Sequence, residues 1–310
     1  MHINQPGKNM QDDVAAFEAW ALILHANLKD GIEMTFDILP QWESSFSPEK
    51  RIDAELQHFM RFLFRVWKFQ DQIDWFSIKD ERCRLCVQKF KDLFLEGKTT
   101  NNIPLDDAKD VDLEEKPKLE YLIENIFVNS KMAIEAIEFI NKSITFIIPD
   151  TLFNQLPTGL FIASHEKDDE KFVCDKNRFF PTGFFDLWGI NRKNELCIFE
   201  LKHQNNTKAG ILSELYFYAN YANDIFLTDR FNEGNSTHRG YDFLKKAVAT
   251  EGGIPKIHAC FLAPRYHSQI SGRENVFQTL LNNGIDKIDY HFLTFQQDEI
   301  MEFKDCLLPK

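Results

Sequence analysis

Three charged residues lie within two short apolar segments of this sequence. Asp186 lies in GFFDLWGI (residues 183–190), and Glu200 and Lys202 lie in ELCIFELK (residues 195–202). Burying a charge is costly unless the charge is paired or binds a metal. Two carboxylates and a lysine that meet could hold a divalent cation and stabilise the negative charge of a phosphodiester hydrolysis. The residue types therefore predict a hydrolytic metal site, provided that folding brings them together.

Both segments are expected to be strands of one β-hairpin, in which side chains alternate between the two faces. If Ile190 pairs with Leu196, Asp186 lies opposite Glu200, with their Cβ atoms about 5 Å apart. A slip of one residue places Asp186 opposite Phe199 and separates the charges. Two carboxylates this close repel each other, and a Mg²⁺ or Mn²⁺ ion between them relieves the repulsion.

The pattern of an acid on one strand and acid–apolar–lysine on the next resembles that of the PD-(D/E)XK nuclease superfamily. It rests on Asp186 and on the Glu200-Leu201-Lys202 triplet, although Pro181 is not adjacent to the acid. The resemblance implies a restriction-endonuclease-like core, a mixed sheet flanked by helices. It also implies that Asp186 and Glu200 hold Mg²⁺ or Mn²⁺, with the Leu201 carbonyl as a further ligand, and that Lys202 serves the attacking water and the transition state.

The resemblance extends over about residues 118–300 and implies a role for the helix after the hairpin. Glu214 and Tyr218 are four residues apart and share one helical face. A branch of the superfamily carries a Gln and a Tyr at this spacing, so Glu214 matches only in part. We expect Glu214 to line the site with the catalytic residues, and Tyr218 to be a core residue.

Many members of the superfamily also have an acid on a helix before the first core strand. The segment KMAIEAIEFI offers Glu135 and Glu138 on one side of a predicted helix, and Glu138 is the favoured metal ligand. Glu124 is a further candidate. Each of these acids could equally face water, since charged residues on one face of a helix are usually solvated.

The function implied by the resemblance is a Mg²⁺-dependent deoxyribonuclease, an endonuclease, acting in repair or defence. DNA is favoured over RNA, and double-strand cutting would favour a homodimer. Exonuclease action, RNA cleavage and site preference stay open. One alternative is a catalytically inactive nuclease-fold protein that binds nucleic acid or protein. Another is a helical scaffold in which Asp186 and Glu200 point to different places.

The elements that must position these residues follow from hydrophobic periodicity. Residues 1–117 are predicted to be a mainly helical N-terminal region that could bind a protein partner, and residues 118–310 the nuclease-like domain. Residues 97–117 form the candidate boundary. Helices are predicted at 13–30, 50–72, 79–96, 118–142, 208–226 and 269–283, and strands at 31–39, 143–149, 159–164, 183–190, 195–202, 255–264 and 288–295.

Composition limits the alternatives. The chain has 310 residues, 44% of them hydrophobic, and a formal charge of −12, so any contact with nucleic acid needs a local basic groove. The six cysteines form no regular framework, which favours reduced thiols and a cytoplasmic location. No apolar run is long enough to cross a membrane. His258 and His267, which flank a predicted strand, are expected to be structural.

Overall fold

The protein has a mixed α/β fold, as the sequence predicts. The computed structural model describes residues 1–44, 53–95, 99–101, 119–143, 146–158, 160–162, 179–228 and 238–304. The elements of the N-terminal part are β1 (His2–Ile3), α1 (Phe17–Leu28), β2 (Ile32–Phe36), α2 (Pro40–Ser44), α3 (Ala54–Gln72), β3 (Phe76–Ile78), α4 (Glu81–Leu95) and β4 (Thr99–Asn101).

The C-terminal part begins with two helices and continues with strands and helices that alternate. Its elements are α5 (Leu119–Asn129), α6 (Lys131–Glu135), β5 (Glu138–Phe139), β6 (Phe153–Thr158), β7 (Leu160–Ile162), β8 (Gly183–Ile190), β9 (Leu196–Leu201), α7 (Ile211–Phe226), α8 (Tyr241–Ala249), β10 (Ile257–Leu262), α9 (Glu274–Asn282), β11 (Ile288–Thr294) and α10 (Gln297–Glu302).

Six of these strands form the central mixed sheet, in the order β5-β11-β10-β9-β8-β6. Strands β9, β10 and β11 are parallel, and β8, β6 and β5 are each antiparallel to a neighbour. The parallel strands are connected by α7 and α8 and then by α9, because a parallel pair needs a crossover connection. Two smaller sheets are the parallel β1-β2-β3 and the antiparallel pair of β4 and β7.

Helices cover both faces of the central sheet. Helices α7 and α9 pack on one face, with α1 against both of them, and α5 packs on the other face with α6 and α10. Each face has its own hydrophobic core, with Ile198 and Phe217 in the first and Phe199 and Leu201 in the second. Strand β9 is buried along its whole length, as expected for a strand covered on both faces.

The N-terminal part shares its core with the central sheet. The Asp53 side chain caps α3 by accepting a hydrogen bond from the Leu56 N–H. The apolar face of α3 then packs against α7, where the rings of Phe64 and Phe217 meet edge to face at 5.9 Å. The proposed boundary at 97–117 lies mostly outside the described residues, so the division into two domains stays a prediction.

Several elements differ from the prediction. The helix predicted at 118–142 is two helices, α5 and α6, because Ser130 is extended and caps α6. Helix α6 ends at Glu135, and the chain then pairs with β11 at the sheet edge. Residues 146–149 form no strand, whereas β6 and α8 had not been predicted. Within the described residues, no helix combines the length and the apolar character needed to cross a bilayer.

Candidate active site

The predicted register of the β8–β9 hairpin is confirmed from Ile190 to Trp188, whereas the predicted pair of Asp186 and Glu200 is not part of the ladder. Ile190 pairs with Leu196 and Trp188 with Ile198, and the last pair of the ladder is Leu187 with Phe199. Beyond that pair, the Oδ2 atom of Asp186 accepts a hydrogen bond from the Leu201 N–H at 2.8 Å. The Asp186 carboxylate is thus fixed to β9 at the point where the two strands stop pairing.

Glu200 and Lys202 lie together on the face of β9 that is covered by α7. The Lys202 Nζ atom is 2.5 Å from Glu200 Oε1 and 3.3 Å from Glu214 Oε2, and all three side chains are buried. The Lys202 N–H donates to the Leu262 carbonyl, which continues the pairing of β9 with β10 and fixes the direction of the side chain. The residues predicted from the two segments therefore come together, with Lys202 paired to glutamates and not to Asp186.

Helix α7 contributes Glu214 from its first turn and Tyr218 from the next. Glu214 Oε1 accepts a hydrogen bond from the Gln11 side chain. Tyr218 is buried, and its pKa is raised by burial and then by the charges of Glu214 and Glu200, which shows that the three groups are close. A Cβ atom on Gly183 would lie 3.0 Å from the hydroxyl groups of both Tyr218 and Thr158, so a larger residue here would require these side chains to shift slightly.

Of the upstream acids, Glu124 is the one that reaches the site. Its Oε2 atom accepts a hydrogen bond from Gln155 Nε2 at 2.7 Å. Gln155 interrupts β6 with a φ of 55°, level with Asp186. Burial, and then the Asp186 charge, raise the pKa of Glu124 to about 8. A buried carboxyl next to a second carboxyl favours its protonated form unless a cation is present.

Glu138, the favoured upstream ligand, lies elsewhere. It is on β5 and not on a helix, is exposed, and pairs with Thr294 on β11. Two strands, β11 and β10, separate β5 from β9. Glu135 is also exposed and forms an ion pair with Lys131 on its own helix. Neither acid can therefore join Asp186 in this structure.

Among the described residues, the site contains more carboxyl groups than Lys202 and the nearby Arg61 can neutralise. Burial raises the pKa of Asp186 to about 6 against the opposing charge of Lys202. Burial, Asp186 and Glu214 raise the pKa of Glu200 well above its usual range. Burial also opposes ionisation of Glu214, but Lys202 and hydrogen bonds from Glu200 and Gln11 lower its pKa on balance. The carboxyl groups therefore require either a shared proton or an additional cation.

The donor set fits a hard divalent cation. Among the described residues, the buried Oε2 atom of Glu200 accepts no hydrogen bond, and a bond from Glu200 to Glu214 exists only when Glu200 carries a proton. An oxygen without a donor, next to carboxyl groups with raised pKa values, is suited to Mg²⁺ or Mn²⁺, which need only one or two carboxylates and keep several waters. Asp186 is half-buried, whereas Glu200, Lys202 and Glu214 are buried. Asp186 and Glu200 could hold such an ion with Glu124 next to them. A role for the Leu201 carbonyl stays a prediction.

Sequence reasoning missed the contribution of the N-terminal part. Gln11 is bonded to Glu214, and the buried Arg61 of α3 lies near Tyr218 and Glu214. Burial lowers the pKa of Arg61 to about 10, although Tyr218 and Glu214 oppose this effect. The sequence did contain one signal of this contribution, because Arg61 and Arg65 lie on the mainly apolar face of α3. Arg65 forms a buried ion pair with Glu18, so the same signal also marks a structural residue.

We compared the chain with protein-family models, curated proteins and solved structures, and found no match in any of the three.

Proposed function

We propose that this protein is a metal-dependent nuclease with a restriction-endonuclease-like core that hydrolyses phosphodiester bonds in DNA. The observation that carries the proposal is the convergence of Asp186, Glu200 and Lys202 at the point where β8 and β9 separate. A buried acidic cluster with one lysine is costly to maintain for stability alone, and such arrangements are typical of catalytic sites.

The chemistry follows from the roles that these side chains can take. When bound, Mg²⁺ lowers the pKa of a water molecule and neutralises charge on a phosphoryl oxygen. Asp186 and Glu200 supply the carboxylate ligands. The Lys202 ammonium group can donate a hydrogen bond to the attacking water or to the oxygen that gains charge in the transition state. Glu214 holds Lys202 in place, and Gln11 orients Glu214.

The surface beside the site supports a polynucleotide substrate. A polar cavity at the C-terminal ends of β9, β10 and β11 is lined by Gln204, Asn205, Pro264, Arg265, Gln296, Gln297 and Asp298. Within it, Arg265 Nε donates to the Gln204 carbonyl, which leaves its other N–H groups for a ligand. Arginine and amide side chains commonly contact phosphates and sugars. A cytoplasmic location, a homodimer for double-strand cutting and a protein partner for the N-terminal part belong to the same proposal.

Cleavage assays with matched variants test the proposal. The wild type should cut plasmid and linear DNA with Mg²⁺ or Mn²⁺, and EDTA should stop the reaction. Glu200→Gln and Lys202→Met should each lower the rate by at least about a hundredfold, since one interaction made in the transition state contributes on this scale. Glu138→Gln, a control on the same sheet, should cut like the wild type. Equal cutting by all four proteins would refute the site.

The alternative of a catalytically inactive nuclease-fold module has one specific support. Lys202 already forms a buried ion pair with Glu200, and the chain carries a net charge of −12. Calorimetry with Mg²⁺ separates the two functions. If the protein only binds partners, Asp186 and Glu200 should bind no Mg²⁺. Such a protein should not cut DNA, whether or not it binds DNA.

A further inference from the structure

A second cluster of ligating side chains lies on strands β10 and β11. His258 is level with Asp289, and Cys260 is level with His291. Because alternate residues share a face, His258, Asp289 and His291 all project from the α5 side of the sheet. His258 is level with Cys197 of β9, whereas Glu200 is level with Phe261. His258 and Asp289 thus lie about 10 Å along the strands from Glu200 and His291 only about 3.3 Å, at about 3.3 Å per residue, and all three are on the opposite face.

The three side chains are close enough to share one ion. His258 Nδ1 is 3.0 Å from His291 Nε2 and 4.0 Å from Asp289 Oδ2. One ligand atom from each residue lies within 4.8 Å of the other two. Ligands at about 2.0–2.1 Å from a tetrahedral Zn²⁺ ion are roughly 3.3–3.4 Å apart. Small side-chain rotations therefore bring the present spacing to that of a metal site.

The contact with Glu195 and the burial of the ring favour His258 as a metal ligand. Its Nε2 atom is 3.0 Å from Glu195 Oε2, so this nitrogen donates its proton to the carboxylate, and the Nδ1 lone pair accepts from His291 Nε2, a bond that an ion must replace. A histidine that donates to a carboxylate through its second nitrogen is the common outer-sphere arrangement at zinc. Burial lowers the pKa of both histidines, that of His291 to about 3, which keeps the rings neutral as metal ligands must be.

Two further neighbours define access to the cluster. Phe146 stacks on the ring of His258 at 4.5 Å and lies at the same distance from the ring of His291, tilted by 34°, so it covers both rings. Asp289 is one-third exposed and leaves a route for an ion. Lys256 Nζ is 2.7 Å from Asp289 Oδ2 and compensates its charge. An incoming cation must therefore displace Lys256 from this oxygen.

We propose that His258, Asp289 and His291 form a binding site for a transition-metal ion of the Zn²⁺ class. Two imidazoles and one carboxylate select Zn²⁺ and its neighbours over Mg²⁺, and the remaining position is left to solvent. The ion connects β10 with β11, and through Glu195 it also steadies the start of β9. The site does not depend on the proposed nuclease activity.

Metal competition on the full-length protein tests this site. Stripped protein, in excess Mg²⁺, should take one equivalent of Zn²⁺ from a chromophoric chelator, and Co²⁺ should give the visible absorption of a low-coordinate site. Asp289→Asn should weaken Zn²⁺ binding at least tenfold, as should His291→Gln. Lys256→Met should strengthen it, because Asp289 loses its competing partner. His2→Ala is the control, since His2 has an exposed carboxylate partner, Asp37, outside the cluster.

Folding and the carboxylate site are controlled separately. Asp289 and Lys256 are both partly exposed, so their variants should retain the circular dichroism of the wild type even if His291→Gln does not fold. Glu200→Gln should bind Zn²⁺ as the wild type does, whether or not the protein cuts DNA. The proposal is overturned if the wild type takes up no Zn²⁺, if Asp289→Asn binds it equally well, or if Lys256→Met binds it no more tightly.

Discussion

Asp186 and Leu201 are joined by a hydrogen bond of 2.8 Å from the Leu201 N–H to the Asp186 carboxylate, across the end of the β8–β9 ladder. A side chain here takes the place of a backbone partner, so the strands can separate without leaving a buried donor unpaired. The same bond holds the Asp186 carboxylate beside Glu200 and Lys202, and it connects the local folding of the hairpin with the geometry of the proposed site.

This bond predicts that two variants of Asp186 differ in their free energy of unfolding, although both lose the proposed DNA cleavage. Asp186→Asn retains a carbonyl acceptor for the Leu201 N–H, whereas Asp186→Ala leaves that donor unpaired at a cost of about 1–3 kcal/mol. Both variants lose a charged metal ligand. We expect equal loss of DNA cleavage but a lower free energy of unfolding only for Asp186→Ala, measured by urea denaturation. Equal stability of the two variants would contradict the structural role of the bond.

Glu124→Gln should stabilise the metal-free protein at high pH. The folded-state pKa of Glu124 is about 8, against an ordinary value of 4.5. The contribution of this group to the free energy of unfolding is therefore full below pH 4.5 and is lost as the pH rises to about 8. The advantage of Glu124→Gln should grow by up to about 1.4 kcal/mol per pH unit across that window. Urea unfolding in EDTA at pH 5 and pH 8 measures it. If the difference in free energy of unfolding between wild type and variant were the same at pH 5 and pH 8, this linkage would be excluded.

Mg²⁺ binding should release protons and tighten as the pH rises. The pKa of Asp186 is raised to about 6 and that of Glu200 lies well above its usual range, so a cation must displace protons from these carboxyls. Calorimetry at pH 7 in two buffers of different ionisation enthalpy should give different binding heats. Glu200→Gln should bind more weakly and release fewer protons. Identical heats in both buffers would show that the carboxyls are already ionised.

The contact between Gln11 and Glu214 should couple the N-terminal part to the site. A hydrogen bond to a charged group contributes about 1.5–3 kcal/mol. A double-mutant cycle with Gln11→Ala and Glu214→Gln should therefore show a coupling free energy of about 1 kcal/mol or more in unfolding. The exposed pair of Gln41 and Glu55, at 3.4 Å, is a matched control with expected coupling near zero. Equal coupling free energies in the two pairs would show that Gln11 does not couple the N-terminal part to the site.

Some of the site could be predicted because its geometry is local. Alternation along β9 and the register through Ile190 and Leu196 were both correct, since a hairpin with a short turn leaves little freedom in pairing. Alternation along β8 breaks at Asp186, because Phe185 lies in the same core as Trp188. The helix that carries Glu214 was also correct, because its apolar periodicity extends over four turns. The favoured choice for the upstream acid was Glu138, which lies on a strand and not on the predicted helix. Glu124 was only a further candidate.

The errors share one cause. Hydrophobic periodicity places apolar faces toward a core, but it does not say which acid on a helix ends beside which strand. The metal-ligating potential of His258 and His291 was missed for the same reason. They are 33 residues apart, and the register between parallel strands depends on the packing of the crossover helix.

The sequence by itself determined the charged residues of the β8–β9 hairpin, their alternation, and the helices and strands with strong periodicity. These features depend on interactions between residues close in the chain, and steric rules and side-chain alternation fix them. Only the tertiary structure decided that Glu124, Gln11 and Arg61 surround the site, and that His258 meets His291. Such contacts join distant segments, and their formation depends on how the whole core buries its apolar surface.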